Sequence, residues 1–313
     1  MPKSDNGDII IYYIVIMYYL RERNFRRMKI TEIISAGSPS LSFEVFPPKT
    51  DDKFDSVMDA ANAIADLMPS YMSVTYGAGG TTAEYTAEIC ENLHARGVTP
   101  LAHLTCINST KEKIRQQLSD LSDKGVENIL ALRGDIPEGS NSESFEYKYA
   151  SELTEEIKRF GGFCVGGACY PETHPESRDS RSDIEMLKKK VDAGCEFLTT
   201  QMFFDNNILY NFMYRMMRSG IDVPVVAGIM PVTNAAQIKR IISISDNALP
   251  QRFIRIVDRY GDNPEAMMQA GIAFATEQII DLYANGINAV HVYSMNKPSV
   301  AAAIKANVSE IIK

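Results

Sequence analysis

Apolar residues in this chain gather in short runs, and each run is followed by a longer stretch in which they recur at helical spacing. The runs are LSFEVF (41–46), YMSVTY (71–76), PLAHLTC (100–106), NILALRG (128–134), FCVGGACY (163–170), FLTTQMFF (197–204), VPVVAGIM (223–230) and NAVHVYSM (288–295). Their length and their content of β-branched and aromatic residues predict strands. The stretches 53–67, 81–96, 110–124, 149–160, 181–193, 206–219, 234–245 and 264–285 predict helices, and 298–312 predicts a last one. Asn108-Ser109-Thr110 offers a cap before one helix, and Gly97, Gly125, Gly194, Gly220 and Gly286 each follow one. Residues 247–263 are surplus to the alternation and read as an inserted helix.

Alternating strands and helices mean parallel strands joined by crossovers. Eight such units in about 270 residues fit a single (β/α)8 TIM barrel of the α/β class better than two Rossmann halves. No low-complexity linker divides the chain, so residues 29–313 are expected to form one domain. In such a barrel the site lies at the C-terminal strand ends. Those ends carry Glu44, Thr75-Tyr76, His103, Arg133-Gly134-Asp135, Tyr170, Gln201 and, just past the last strand, Lys297.

Composition narrows the function. The 313 residues are 45% hydrophobic and 23% charged, as in a soluble globular protein. A net charge of −8 and a pI near 5.2 exclude a general nucleic-acid binder, which needs a basic face, but not a local anion site. The five scattered cysteines, with no C-x-x-C, read as buried thiols in a reducing, cytoplasmic setting. Residues 1–28 differ from the rest. Their apolar run Ile9–Leu20 is too short to span a bilayer, and the basic RERNFRR follows it, the reverse of a secretory signal. This segment is expected to be a non-core extension, read as translation from upstream of a functional start at Met28; an interfacial helix or short anchor is the competing reading.

Glu44 is the only carboxylate in a run of strand-forming residues, and Pro47-Pro48 ends any ladder beyond it. It either turns to solvent or points into a pocket, where a desolvated carboxyl is a useful proton donor. The glycine-rich Gly77–Gly80 leads into a helix and suits a phosphate, though a tight turn explains it equally; it does not match G-x-G-x-x-G. In Leu132-Arg133-Gly134-Asp135, an anion clamp and an Arg–Asp surface pair remain equally open. His174 lies in a loop fixed by two prolines, but four histidines without H-E-x-x-H or H-x-H make a metal site an unfavoured reading. Of Lys188-Lys189-Lys190, one lysine could reach a diphosphate while the others form a solvated face. Gln201 offers a donor and an acceptor for an amide or pterin edge. Together these residues describe an enzyme site for a heterocyclic, phosphorylated ligand.

The ordered segments SFEVFPPK, SVTYGAGG, AHLTC, ALRGD, YPETHPE, KKKVDAG, TTQMFFD, GIMPVTN and HVYSMNK resemble those of methylenetetrahydrofolate reductase of the bacterial, single-domain type, from about Leu41 to Lys297. The resemblance implies a barrel that binds FAD at its strand ends without a Rossmann domain. It implies reduction of 5,10-methylenetetrahydrofolate to 5-methyltetrahydrofolate, feeding methionine synthesis and one-carbon metabolism. NADH or NADPH reduces the flavin and leaves before the folate enters. Carried over by motif, Glu44 matches the general acid that protonates N10, Asp135 the acid near flavin and pterin, and Gln201 a contact to folate and nicotinamide. Thr75, Tyr76, Ala78, His103, Arg133, Gly134 and Asp135 fall at FAD-contacting positions. So do Tyr149, Ala150, Tyr170, His174, Ser177, Asp183 and Lys190. Glu44, Thr75, Gln201, Gln237 and Lys297 fall at substrate-contacting positions.

Two positions depart from relatives: Met186 replaces a polar FAD contact of some, and Lys297 an Arg of others. The resemblance further implies a homotetramer with no membrane or nucleic-acid partner, and no inhibition by S-adenosylmethionine, whose domain the motifs do not include. Two alternatives stay open: the same folate chemistry fed by an iron–sulfur partner protein, and a non-catalytic flavin- or folate-binding barrel. Phe43, Val45 and Phe46 are the expected apolar setting of Glu44.

Overall fold

The computed structural model describes residues 28–76, 82–136, 145–244 and 249–313. All eight expected strands form: β1 Ser40–Val45, β2 Met72–Val74, β3 Pro100–Thr105, β4 Asn128–Leu132, β5 Cys164–Cys169, β6 Phe197–Thr200, β7 Val225–Ile229 and β8 Ala289–Val292. They pair in parallel in sequence order and close into a barrel through β1 and β8. Every strand but β1 is shorter than its apolar run. Residues such as Gln201–Phe204 and Tyr293–Met295 leave the ladder and build the mouth.

The described helices are α1 Ile30–Ile34, α2 Phe54–Ala65, α3 Thr82–Ala95, α4 Lys111–Asp123, α5 Ala150–Phe160, α6 Ser180–Asp192, α7 Asn206–Arg218, α8 Ala235–Ile244, α9 Gln251–Tyr260, α10 Pro264–Ala284 and α11 Pro298–Asn307. Their starts follow local chemistry. Thr110 accepts from the Lys113 N–H, Asp179 from Ser182, Asp205 from Asn207, and Asn263 from Glu265 and Ala266 ahead of Pro264. The five glycines expected to stop helices all adopt left-handed φ. The surplus segment is α9; its Phe253 stacks on Phe204 (5.1 Å) and covers the β6 and β7 loops with Met202, Val232 and Met267.

Alternation sorts the barrel into two cores. Leu41, Phe43 and Val45 join the large cluster between strands and helices. Tyr71, Leu101, Leu130, Phe197 and Val226 fill the barrel's interior with Ile30 and Ile34 of α1. The sequence pattern did not predict α1, a five-residue helix too short to show a period. It is tied to the strand starts: the Ile30 N–H donates to Asn128 Oδ1 (2.8 Å), and Asn128 Nδ2 donates to Pro100 O (3.3 Å). Gly166 makes room for the Phe197 ring, which a Cβ there would meet at 2.3 Å. All five cysteines are free and buried. Among the described residues no helix is long and apolar enough to cross a membrane.

Candidate active site

Inward-facing residues of β1 are Ser40, Ser42 and Glu44, the partners in alternation of the outward Leu41, Phe43 and Val45. Glu44 therefore points into the barrel. Its side chain is 17% exposed in a cavity of about 330 Å³ at the mouth, with His103, Gln201, Met230, His291 and Tyr293 among the lining residues. This corrects the expected setting of the acid. Phe43 and Val45 lie on the other side of the sheet; the polar groups nearest the carboxyl are two imidazoles, and Leu132, Met202 and Met230 are among the apolar residues that line the cavity.

Two imidazoles approach Glu44 Oε2: His103 Nε2 at 3.8 Å and His291 Nε2 at 4.0 Å. Burial pulls His103 from 6.5 down to about 4, against the opposing pull of Glu44 and with a smaller push from His291. His103 is thus neutral at pH 7, and its approach to Glu44 is not an ion pair. Among the described residues its buried Nε2 has no hydrogen-bond partner. His291 is held at both ring nitrogens, Nδ1 by Ser42 Oγ (2.8 Å) and Nε2 by Ser73 Oγ (3.0 Å), and it stacks on Tyr71. Register explains the cluster, since Ser42 is opposite His291 and Glu44 is opposite Ser73.

A second cleft, of about 390 Å³, adjoins the first and shares Ala168 and Tyr170 with it. It gathers eight of the residues expected to contact a cofactor: Arg133, Tyr149, Ala150, Tyr170, His174, Ser177, Asp183 and Lys190. Asp183 organises one wall, accepting from the His174 N–H (3.3 Å) and Ser177 Oγ (3.0 Å). Tyr170 packs against the His174 ring edge-on at 4.5 Å. Of the lysine run, Lys188 and Lys189 are exposed while Lys190 turns in, its ammonium donating to Ala168 O (2.5 Å) and pulled below the ordinary lysine value by burial. Met186, the departure from relatives, lines this cleft.

Arg133 resolves neither as a free clamp nor as a partner of Asp135. It makes a two-point ion pair with Glu176 of the YPETHPE loop, at 2.5 and 2.6 Å. That pair raises the guanidinium and holds the Glu176 carboxyl below its ordinary range. Gly134 has φ +84, and a Cβ there would meet Ile107 at 3.0 Å and Thr105 at 3.1 Å. Asp135 is exposed outside both clefts, its charge near enough to act on Tyr170 and Arg133.

The remaining expected residues are more dispersed. Tyr76 turns toward the helices, accepting from Gln117 Nε2 (2.8 Å), and lines a cleft of about 560 Å³ between α3 and α4 that His103 also reaches. The Thr75 N–H donates to Val45 O, placing Thr75 beside the end of β1. Gln237 Oε1 accepts from the N–H groups of Thr233 (2.8 Å) and Asn234 (3.2 Å), and Lys297 Nζ donates to Thr233 Oγ1 (2.9 Å), so a buried threonine links these two residues. Ala78 lies outside the described residues, as do the rest of the glycine loop and residues 1–27. The sequence reading missed Ser42, Ser73, His291, Glu176 and Thr233. The alternation in Ala289-Val290-His291-Val292 offered one usable signal, because it sets His291 opposite Val290 and Val292.

An eight-stranded barrel with an acid and two histidines at its mouth and a polar, charged cleft beside them defines an enzyme of the (β/α)8 class. The methylenetetrahydrofolate reductase family model matches residues 29–309, and the chain belongs to that family of oxidoreductases. It is 32% identical to 5,10-methylenetetrahydrofolate reductase of Escherichia coli (strain K12) over 288 residues, 92% of this chain and 96% of the relative. It is 34% identical to methylenetetrahydrofolate reductase (NADH) 1 of Arabidopsis thaliana over 90% of its own length and 50% of that protein's. Among solved structures, a Clostridium thermocellum protein that binds two copies of 5-methyl-5,6,7,8-tetrahydrofolic acid shares the fold, with a TM-score of 0.62, 13% identity and coverage of 90% of this chain and 100% of its own.

Proposed function

We propose that this chain reduces 5,10-methylenetetrahydrofolate to 5-methyltetrahydrofolate with FAD as its cofactor and NADH or NADPH as the hydride source. The observation that carries the reading is Glu44: a carboxyl aimed into the mouth cavity, beside a second cleft that gathers Arg133, His174 and Lys190. The residues present fit FAD. Arg133, His174 and Lys190 would hold its diphosphate, Gly134 would let backbone approach, and His103 brings a buried ring nitrogen with hydrogen-bonding capacity to spare. When bound, FAD would supply the hydride chemistry that links the nicotinamide to the folate in two successive half-reactions.

The chain's own work is binding and proton handling. Glu44 delivers a proton to folate N10, so that the five-membered ring opens and the N5 side becomes an acceptor for hydride. Asp135, exposed outside both clefts, would support the developing positive charge only at a distance, as its charge already acts on Tyr170 in the wall the two clefts share. Gln201 presents its amide NH2 to folate and nicotinamide in turn, because its Oε1 already accepts from the Met202 N–H (2.9 Å). Gln237 and Lys297 bind the outer part of the substrate. Residues 1–28 lie outside this machinery, and the same reading gives a cytoplasmic homotetramer, which light scattering in solution tests.

Anaerobic spectroscopy decides the function. The FAD-loaded protein is expected to bleach with NADH or NADPH and to regain its colour with methylenetetrahydrofolate. A chain that cannot take up FAD overturns the reading. A flavin that stays oxidised with both nucleotides would instead point to an iron–sulfur donor.

A further inference from the structure

We propose that Asn296 is a positioning residue for Glu44, its side chain standing in for the strand residue that β1 lacks at its end. The proposal rests on the reading of Glu44 as the acid. β1 pairs with β2 as far as Val45↔Val74, but with β8 only as far as Phe43↔Val292. Beyond that point come Glu44, Val45 and Phe46, and then Pro47-Pro48, which have no N–H to continue a ladder. Without further support, the segment carrying the acid would be held on one side.

Side chains from the loop after β8 supply the other side. Ser294, almost fully buried, donates its hydroxyl to Glu44 O (2.9 Å). Asn296 then pairs with both backbone groups of Phe46: the Phe46 N–H donates to Asn296 Oδ1 (2.9 Å), and Asn296 Nδ2 donates to Phe46 O (2.8 Å). A side-chain carboxamide has the donor–acceptor geometry of a peptide group, so Asn296 extends the β1–β8 pairing by one step. To bring it there, the backbone takes two consecutive left-handed residues, Met295 (φ 56) and Asn296 (φ 52). Asparagine tolerates that conformation; methionine adopts it only where surrounding contacts impose it. A strained turn, two reciprocal hydrogen bonds and a serine bond all converge on the three residues that aim one carboxyl.

Proton transfer is sensitive to placement, and a misplacement of about 1 Å can cost about a hundredfold in rate. Asn296→Gly keeps the left-handed backbone and removes only the clamp. In the FAD-loaded protein it is expected to slow folate reduction by about a hundredfold and to leave flavin reduction by NADH within about twofold. Asn296→Asp keeps the acceptor for the Phe46 N–H and loses the donor, so its folate rate is expected to fall between wild type and Asn296→Gly. Hydrogen exchange at the Phe46 amide is expected to quicken in Asn296→Gly and to stay near wild type in Asn296→Asp, a readout that needs neither cofactor nor turnover. In Asn296→Gly, unchanged folate reduction, equal losses in both half-reactions, or unchanged Phe46 exchange would each overturn the proposal. A wild-type protein that never reduces the folate would instead overturn the functional reading; Phe46 exchange would still decide whether the clamp exists.

Discussion

Glu44 and Glu176 are both carboxylates at the barrel mouth, and their neighbours give them opposite work. The His103 imidazole beside Glu44 carries no charge at neutral pH. Glu176 is locked to a guanidinium. Glu44→Gln keeps shape and hydrogen bonding but has no proton to give. Flavin binding and NADH oxidation should survive while folate reduction falls by about 10²- to 10⁴-fold, the range of general acid catalysis; unchanged folate turnover would remove Glu44 from its role. Glu176→Gln acts in the other direction. It releases Arg133 from a partly exposed ion pair worth about 0.2–1 kcal/mol. FAD should then bind more tightly by up to about fivefold, as fluorescence quenching of the titrated flavin would report.

The connections after the strands carry the site, and Gly134 tests how closely one of them is built. It follows β4 at φ +84, with Ile107 and Thr105 where a Cβ would go. Gly134→Ala faces a left-handed backbone cost of about 1–2 kcal/mol and a contact that must give way. A lower melting temperature and weaker FAD binding are expected together; a melting curve that does not move would mean the loop adjusts freely. Elements like this one were legible in the sequence because seven of the eight strand runs carry a polar residue at or just past their end, which barrel closure aims at the mouth. Arg133 and Tyr170 met in one cleft for that reason, and the loop after β5 and helix α6 brought His174 and Lys190 to it. Other links were hidden because they cross the chain at long range: the Arg133–Glu176 pair spans two loops, and the histidine cluster needs the register of β1, β2 and β8. The apolar setting expected for Glu44 failed on the same ground, since neighbours in sequence along a strand face opposite sides of the sheet. Tyr76, expected at the cofactor, turned to the helices because Gln117 holds its hydroxyl there.

At the scale of the whole molecule, the barrel interior changes character along its axis, from the apolar plug of Ile30, Tyr71 and Phe197 to the polar layer of Ser42, Ser73, His103 and His291. Burying imidazole makes stability depend on pH. In the unfolded chain His103 takes up a proton near 6.5; in the native state it does not until about 4. Between those values the unfolded state binds more protons, so native stability falls as pH falls, and is fully present only above 6.5. The loss from His103 is about 2 kcal/mol at pH 5 and about 3 kcal/mol at pH 4. His174, also pulled down by burial, adds in the same direction. Carboxylates held low by partners, Glu176 and Glu277, lose their contribution only as pH drops through and below their ordinary range, which keeps pH 6.5 to 5 as the histidine window. Urea midpoints measured across that window should fall in the wild type. In His103→Gln, whose amide does not titrate, most of the fall should disappear, while His174→Gln should remove the smaller remainder. Equal slopes in all three proteins would mean that the buried imidazole is protonated in the native state, and with it the ion pair to Glu44 that a neutral His103 denies.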